Sequence, residues 1–152
     1  PGLVGGHCLP VDPYYLSYIA EKNKFRTNTL LSGRSTNNKM KNYVISEILK
    51  CIKKNRLNEK EKILILGISY KYGVSDLRNS LGLKIFNKIK KKYKNTFFYD
   101  PFVNIKYKLT NIEKLKNFKL IIFLSPGKKY NSIFKKSIKN NLLILDPFYY
   151  FT

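Results

Sequence analysis

The chain has 152 residues, enough for one domain of ordinary size with a hydrophobic core and a short extension. Its hydrophobic fraction of 43% is close to the globular average, and no apolar run approaches the roughly 20 residues that cross a bilayer, so we expect a soluble chain without a membrane partner. The two cysteines, Cys8 and Cys51, form neither a disulfide framework nor a metal-ligand spacing, which predicts a reducing cytoplasm and no metal site.

The net charge of +21 is typical of proteins that bind nucleic acid or another polyanion. Nearly all of this charge is lysine, however, whereas base reading and bidentate phosphate contacts favour arginine. Lysine is accompanied by abundant Asn, Ile, Tyr and Phe, the mixture expected of a genome rich in A and T. A selected polyanion site stays open as an alternative, but we favour mutational drift on solvated faces and predict no specific nucleic-acid partner.

The first predicted elements are a loop and a helix. Residues 1–16 are rich in Gly and Pro and predict a structured loop that enters a helix. Residues 13–25 form that helix, with Leu16, Ile19 and Ala20 expected on its inward face.

The next segment, residues 27–55, predicts a long helix or a pair of helices. Apolar residues recur at three- and four-residue steps, and the other face is Lys and Asn. The apolar stripe consists of Met40, Val44, Ile45, Ile48, Leu49 and Ile52.

From Glu61 onwards, short apolar runs alternate with helical stretches, which is typical of βαβ units around a parallel sheet. The predicted strands are 62–69, 95–102, 119–126 and 141–148, and the predicted helices are 80–93, 111–118 and 131–139. We therefore predict an α/β fold, in which a small Rossmann-like parallel-sheet domain (58–152) follows the end of an α-helical region (1–57).

The most informative motif is Gly5-Gly6-His7-Cys8, followed four residues later by Asp12. Glycines beside a cysteine allow strained backbone and leave space for a ligand next to the sulfur. An Asp at this spacing can orient a water or accept a proton near a thiol nucleophile. The alternative is a small residue in a packed turn.

A second motif follows the first predicted strand, where ligands of open α/β sheets bind. Tyr70 and Lys71 stand at the carboxyl end of this strand, and Ser80 or Asn79 can cap the next helix. The N-terminus of that helix suits a phosphate, and Arg78 adds a cation. A capped helix with surface charges is the alternative.

Together, the stretches PGLVGGHCLPVDPYYL (1–16), GRSTNNKM (33–40) and GISYKYGVSDLRNS (67–80) resemble the UDP-glucose/GDP-mannose dehydrogenase family. The form GGHC followed by VDPYYL is most similar to the branch that acts on UDP-N-acetylhexosamines. The resemblance extends over nearly the whole chain and is weaker after Pro101.

The resemblance implies roles for individual residues. Cys8 matches the family nucleophile and Asp12 the residue that assists hydrolysis. Gly5 and Gly6 match backbone positions beside the reacting sugar carbon. Tyr70 and Lys71 match positions that contact the UDP-sugar. Arg78 matches a position near NAD. Arg34 and Asn37 match a recurring pattern to which we assign no role.

The activity implied by the resemblance is NAD-dependent oxidation of the C6 alcohol of a UDP-sugar to a uronic acid for polysaccharide precursors. It proceeds through a thiohemiacetal and a thioester on Cys8, in a homodimer packed through the long helix. The G-x-G-x-x-G loop of an NAD domain is absent from the sequence. We therefore expect a C-terminal portion that is inactive alone.

Two rival functions remain. One is a non-catalytic remnant, a Lys-rich polyanion-binding or regulatory module. The other is a thiol enzyme that pairs Cys8 with His7, which is disfavoured because adjacent side chains in extended backbone point to opposite faces.

Overall fold

The computed structural model describes residues 3–109 and 115–151. Four α-helices and four strands follow one another in these ranges. They are α1 (Asp12–Lys22), α2 (Asn28–Lys54), β1 (Ile63–Leu66), α3 (Leu81–Lys92), β2 (Thr96–Tyr99), β3 (Leu120–Phe123), α4 (Lys128–Lys139) and β4 (Leu143–Leu145). Within the described part of the chain, none of the helices has the length and apolar character required to span a membrane.

The four strands form one parallel sheet in the order β2-β1-β3-β4. Alternate residues of the central strands enter two separate cores. Ile63 and Ile65 of β1 pack with α2 and α3 on one face, whereas Leu64 and Leu66 pack with α4 on the other. Because helices cover both faces, β1 and β3 are buried at every position, which explains their continuous apolar runs. The predicted α/β fold with a Rossmann-like parallel sheet is confirmed.

The long predicted helix is a single helix, α2, and its apolar stripe packs inside the chain's own core. Val44, Ile48 and Ile52 are at most 2% exposed and belong to the cluster that contains β1 and α3. The apolar stripe of α2 is therefore largely buried by packing within the chain, and the homodimer implied by the resemblance stays a prediction. The boundary predicted between residues 57 and 58 stays a prediction.

The inward face predicted for α1 is wrong. Leu16 and Ile19 are 59% and 58% exposed, and the buried residue of this helix is Ser17. The Ser17 hydroxyl is hydrogen-bonded to that of Thr27 at 2.6 Å, at the start of α2. Because α1 packs chiefly on α2 and not on the sheet, most of its apolar side chains remain exposed.

Element boundaries shift by a few residues elsewhere. Helix α4 begins at Lys128, three residues before its predicted start, with Gly127 as its N-cap. The predicted helix 111–118 lies partly outside the described residues, and its described part is a 3-10 turn at Leu115–Asn117.

Candidate active site

The most distinctive feature of the sheet is a cavity at the carboxyl ends of β1 and β3. The chain leaves β1 through α3 on one face, and it leaves β3 through α4 on the other, so the connections diverge between these two strands. This divergence is the usual position of a ligand crevice in an open α/β sheet. A cavity of about 540 Å³ opens there, within the range of small-molecule sites.

The floor of this cavity depends on the close approach of two loops. Gly67, directly after β1, has φ +80°, and a Cβ there would lie 2.6 Å from the Cβ of Ser125, which follows β3. Both residues line the cavity, together with Tyr70, Lys71 and Tyr150. Glycine at position 67 therefore permits both the left-handed turn and the contact that closes the floor.

A buried carboxylate accepts hydrogen bonds from the start of the loop that carries Tyr70 and Lys71. Asp100, directly after β2, is 1% exposed. Its Oδ2 accepts hydrogen bonds from the backbone N–H groups of Ile68 and Ser69, at 3.2 and 3.1 Å, and from the Ser69 hydroxyl at 2.8 Å. The motifs in the sequence did not single out Asp100. Its position at the end of a predicted strand of the parallel sheet was the signal that could have identified it.

Helix α3 begins beside the same cavity, and Ser80 caps it. The Ser80 hydroxyl accepts a hydrogen bond from the Leu83 N–H at 3.1 Å and donates one to the Ile68 carbonyl at 2.5 Å. Asn79, the alternative cap, instead adopts φ +51° and donates its side-chain N–H to the Gly6 carbonyl at 3.1 Å. The two residues thus have different tasks.

The cysteine loop, residues 4–12, lies on the α3 side of the cavity. A Cβ at Gly5 would lie 2.7 Å from the Cβ of Tyr70, so a side chain there would push the loop away. Gly6 has φ +97° and donates its N–H to the Arg78 carbonyl at 3.0 Å. A side chain at either position would disturb the packing on Tyr70, so both glycines have a structural role that does not depend on a substrate.

Asn37 holds the same loop from α2. Its Nδ2 donates to the Val4 carbonyl at 2.9 Å, and its Oδ1 accepts from the Val4 N–H at 3.0 Å. Arg34, one turn earlier, is only 9% exposed, and its Nε finds no acceptor within residues 3–109 and 115–151. The structure thus supplies a contact for Asn37 that the sequence pattern did not explain.

Cys8 and Asp12 are joined by a turn. The Cys8 carbonyl accepts hydrogen bonds from the N–H groups of Val11 and Asp12, at 2.8 and 2.9 Å, where α1 begins. Both side chains are exposed. His7 approaches Asp76, with 4.0 Å between Nδ1 and Oδ2, and makes no hydrogen bond to Cys8 in the described structure. The geometry therefore offers no support for a Cys8–His7 pair.

Arg78 is engaged by Asp76. Its Nε and Nη2 donate to the Asp76 carboxylate at 2.7 to 3.1 Å, and this hydrogen bonding holds the pKa of Asp76 at about 2. The same side-chain hydrogen bond is the main reason why the pKa of Arg78 is raised, and weaker attraction to Tyr70 and Cys8 adds to it. Because the Arg78 carbonyl accepts the Gly6 N–H, Arg78 lies beside the segment that carries Cys8, and its side chain remains 65% exposed.

The predicted site residues thus fall into two adjoining groups. Gly5, Tyr70 and Lys71 line the cavity, as does Leu9, which directly follows Cys8. Cys8, Asp12 and Arg78 are not among the residues that line the cavity, and Gly6 packs on the Tyr70 ring. Tyr72, Ser125 and Tyr150, which also line the cavity, were not singled out from the sequence, because the strand and helix patterns do not show which loops converge.

Comparison with known proteins matches two stretches of the chain to one family. Residues 64–151 match the UDP binding domain of the UDP-glucose/GDP-mannose dehydrogenase family, and residues 1–39 match the central domain of the same family. The chain is 35% identical over 105 residues to UDP-N-acetyl-D-glucosamine 6-dehydrogenase of Pseudomonas aeruginosa, covering 68% of this chain and 25% of that protein.

Other relatives cover more of the chain. UDP-N-acetyl-D-mannosamine dehydrogenase of Methanococcus vannielii is 32% identical over 153 residues, covering 95% of this chain and 34% of that protein. The solved structure of UDP-D-ManNAc dehydrogenase from Pyrococcus horikoshii matches with a TM-score of 0.80 and 29% identity, covering 96% of this chain and 35% of that one. The chain thus spans about a third or less of the length of these relatives, and it belongs to the UDP-glucose/GDP-mannose dehydrogenase family.

Proposed function

We propose that this chain is the UDP-sugar-binding and nucleophile-bearing part of an NAD-dependent nucleotide-sugar 6-dehydrogenase. The observation that carries the proposal is the contact between the cysteine loop and the cavity at the ends of β1 and β3. Gly5 is packed on Tyr70, which lines the cavity, and Gly6 is hydrogen-bonded to Arg78. A nucleophile held at the edge of a small-molecule cavity suits a substrate whose nucleotide enters the cavity and whose sugar reaches the thiol.

The cavity suits a nucleoside diphosphate in three respects. Helix α3 begins at its edge, where free backbone N–H groups favour anions. Lys71 supplies a positive charge on the wall. The lining also contains Tyr70, Tyr72 and Tyr150, which offer flat apolar surface to a base. The similarity to UDP-N-acetyl-D-glucosamine 6-dehydrogenase and UDP-N-acetyl-D-mannosamine dehydrogenase supports a UDP-N-acetylhexosamine as the substrate.

The residues of the cysteine loop have defined parts in this reaction. The thiolate of Cys8 attacks the aldehyde carbon, and the carbonyl oxygen takes a proton to give a thiohemiacetal. Once this has been oxidised to a thioester, water attacks the acyl carbon and the C–S bond breaks. Asp12 accepts the proton of that water, which releases the uronic acid and restores the thiolate. The turn between Cys8 and Asp12 keeps the two side chains on one short segment.

Two molecules of NAD, bound in turn, would each accept one of the two hydrides removed from C6. Of this chain's residues, Arg78 fits a contact with NAD, because its side chain is 65% exposed although Asp76 accepts hydrogen bonds from two of its nitrogens. The binding loop for the dinucleotide is not among these 152 residues, so the chain alone should not turn over.

The homodimer and the location belong to the same proposal. Tyr43 and Leu49 are apolar side chains that α2 still exposes, and they support packing on a second copy through this helix. Two free cysteines, Cys8 and Cys51, are typical of the reducing cytoplasm.

Titration calorimetry with UDP-N-acetylglucosamine, UDP-N-acetylmannosamine and GDP-mannose tests the proposal. We expect the UDP-sugars to bind, and Lys71→Ala to weaken binding about tenfold, the effect of one charge-assisted contact. Lys88→Ala, on the exposed face of α3, is the matched control and should bind as the wild type does. Absence of binding by any UDP-sugar to the wild-type chain would remove the proposal.

A second candidate function rests on a different cavity. A second cavity of about 510 Å³ lies at the amino ends of β3 and β4, and its lining includes Lys116, Lys119 and Lys139. In a polyanion-binding module, single-stranded DNA would bind with an affinity that falls steeply with salt, and glutamate at these three positions would abolish it. We favour the dehydrogenase, because the polyanion function leaves the cysteine loop unexplained.

A further inference from the structure

Two asparagines attach the cysteine loop to the rest of the protein, and neither has an assigned role. Asn37, on α2, makes a two-way contact with the backbone of Val4. Asn79, on the segment before α3, donates to the carbonyl of Gly6, while the N–H of Gly6 binds the Arg78 carbonyl. Both backbone polar groups of Val4 and of Gly6 are thus satisfied by residues distant in sequence.

The two attachments come from different elements. Asn37 lies 33 positions from Val4, and Asn79 lies 73 positions from Gly6. With glycines at positions 5 and 6, the loop has little stiffness of its own. Its position must therefore come from these contacts and from packing on Tyr70.

The Asn79 contact also requires a particular backbone. Asn79 has φ +51°, a conformation that Asn tolerates better than most other residues. It directly precedes Ser80, the cap of α3, and Gly82 in the first turn of that helix lines the cavity. The cysteine loop is therefore connected through one side chain to the edge of the cavity where α3 begins.

We propose that Asn37 and Asn79 are positioning residues that hold the Val4–Gly6 backbone so that the Cys8 thiol faces the occupied cavity. The inference rests on the proposed function, because it concerns where the nucleophile stands relative to a bound UDP-sugar. Neither asparagine needs to touch the substrate. Their contribution is the fixed place of a glycine-rich segment that would otherwise sample many conformations.

The experiment uses the 152-residue chain and matched variants. Asn37→Ala removes both hydrogen bonds to Val4, and Asn37→Asp removes only the donor. Asn38→Ala is the control, because Asn38 is an exposed neighbour on α2 with no side-chain hydrogen bond among the described residues. Asn79→Asp replaces the donor with an oxygen while tolerating the left-handed backbone. Asn141→Asp, at another exposed Asn with φ +50°, is its control.

The first measurement is amide hydrogen exchange by NMR, which needs no ligand. We expect exchange of the Val4 amide to accelerate roughly tenfold in Asn37→Ala, the factor for one hydrogen bond of ordinary net strength, and less in Asn37→Asp. The Gly6 amide should exchange faster in Asn79→Asp. If the Val4 and Gly6 amides exchange as fast in the two control variants as in the test variants, the proposal is overturned.

The second measurement is the alkylation rate of Cys8 with and without UDP-N-acetylglucosamine, with Cys51 as the internal reference. In the wild type, the nucleotide sugar should slow alkylation of Cys8. This protection should fall severalfold in Asn37→Ala and Asn79→Asp at unchanged melting temperature, but not in the controls. Equal protection in all variants would refute a positioning role. Lack of protection in the wild type would refute the proposed function instead, while the exchange rates still decide whether the asparagines hold the loop.

Discussion

At the scale of single residues, the site depends on polar groups whose partners are far away in sequence. Asp100 is fully enclosed and binds two backbone N–H groups of the loop after β1. Asp76, by contrast, stands at the surface end of the site and binds Arg78. Both aspartates stabilise loops rather than helices or strands, and the second has a measurable consequence for pH.

The Asp76–Arg78 contact predicts a specific acid sensitivity. The folded-state pKa of Asp76 is about 2, below its ordinary 3.8, because of the Arg78 hydrogen bonds. A depressed pKa means that the contribution to stability is present above pH 3.8 and is lost as the pH falls towards 2. We expect urea unfolding midpoints to fall less over this window in Asp76→Asn than in the wild type. Glu21→Gln, at an exposed carboxylate, should behave as the wild type, and identical slopes in Asp76→Asn and the wild type would contradict the assignment.

Arg34 allows a second test at this scale. Arg34 is 9% exposed, and its buried Nε has no acceptor in the described part of the chain, so the desolvation of this nitrogen is not offset by a hydrogen bond there. Arg34→Met should raise the free energy of unfolding by about 1 kcal/mol, because an apolar side chain of similar length does not lose hydration. Lys39→Met, on the exposed face of α2, is the control. A loss of stability in Arg34→Met, measured by urea titration, would show that the guanidinium has a favourable environment.

At the scale of elements, the helices differ in how their ends and faces are used. α3 has a side-chain cap and an apolar face that enters the core, in which Ile85, Phe86 and Ile89 are buried. α1 has no side-chain cap and buries only Ser17. The Ser80 cap therefore fixes the N-terminus of α3, which lies at the edge of the cavity.

The cap of α3 is expected to be important for stability. The Ser80 hydroxyl is buried and serves both as acceptor for Leu83 and as donor to Ile68. Ser80→Ala should lower the free energy of unfolding by about 1 to 2 kcal/mol, because a helix cap and a buried hydrogen bond are lost together. Ser35→Ala, on the exposed face of α2, should change it by less than about 0.5 kcal/mol. Chemical denaturation of both variants decides, and equal effects would mean that the cap contributes little.

At the scale of the whole molecule, charge is the dominant feature. The sequence contains 30 basic and nine acidic residues, and only two ion pairs between a carboxylate and a lysine or arginine are found among the described residues. Most lysines therefore repel one another across the surface. Such repulsion destabilises the compact state and weakens with added salt.

Salt should accordingly stabilise the protein. We expect the melting temperature to rise as KCl increases from low to physiological ionic strength, because screening reduces repulsion within a chain of charge +21. A Lys88→Glu/Lys91→Glu variant changes the charge by four units, from +21 to +17, and should show a smaller rise. A melting temperature that falls with salt in the wild type, or rises equally in both proteins, would argue against net repulsion.

The order of elements and the identity of the family were predictable because they depend on local signals. Period and composition identify β1, α3, β3 and α4 whatever surrounds them. The motifs around Cys8 and Tyr70 are likewise contiguous stretches. The inward face of α1 was mispredicted, because its few apolar residues match a helical period without specifying whether a core lies next to them.

What the sequence alone determined is therefore the α/β fold, the succession of helices and strands, and the set of residue types that chemistry would require. The tertiary structure decided which of them meet. It directs the α2 stripe into the sheet's own core, gives the α3 cap to Ser80, and places Asn37 and Asn79 on the cysteine loop. The physical reason is that apolar periodicity repeats locally, whereas a hydrogen-bond partner can lie anywhere along the chain and is identified only when the fold brings it within 3 Å or so.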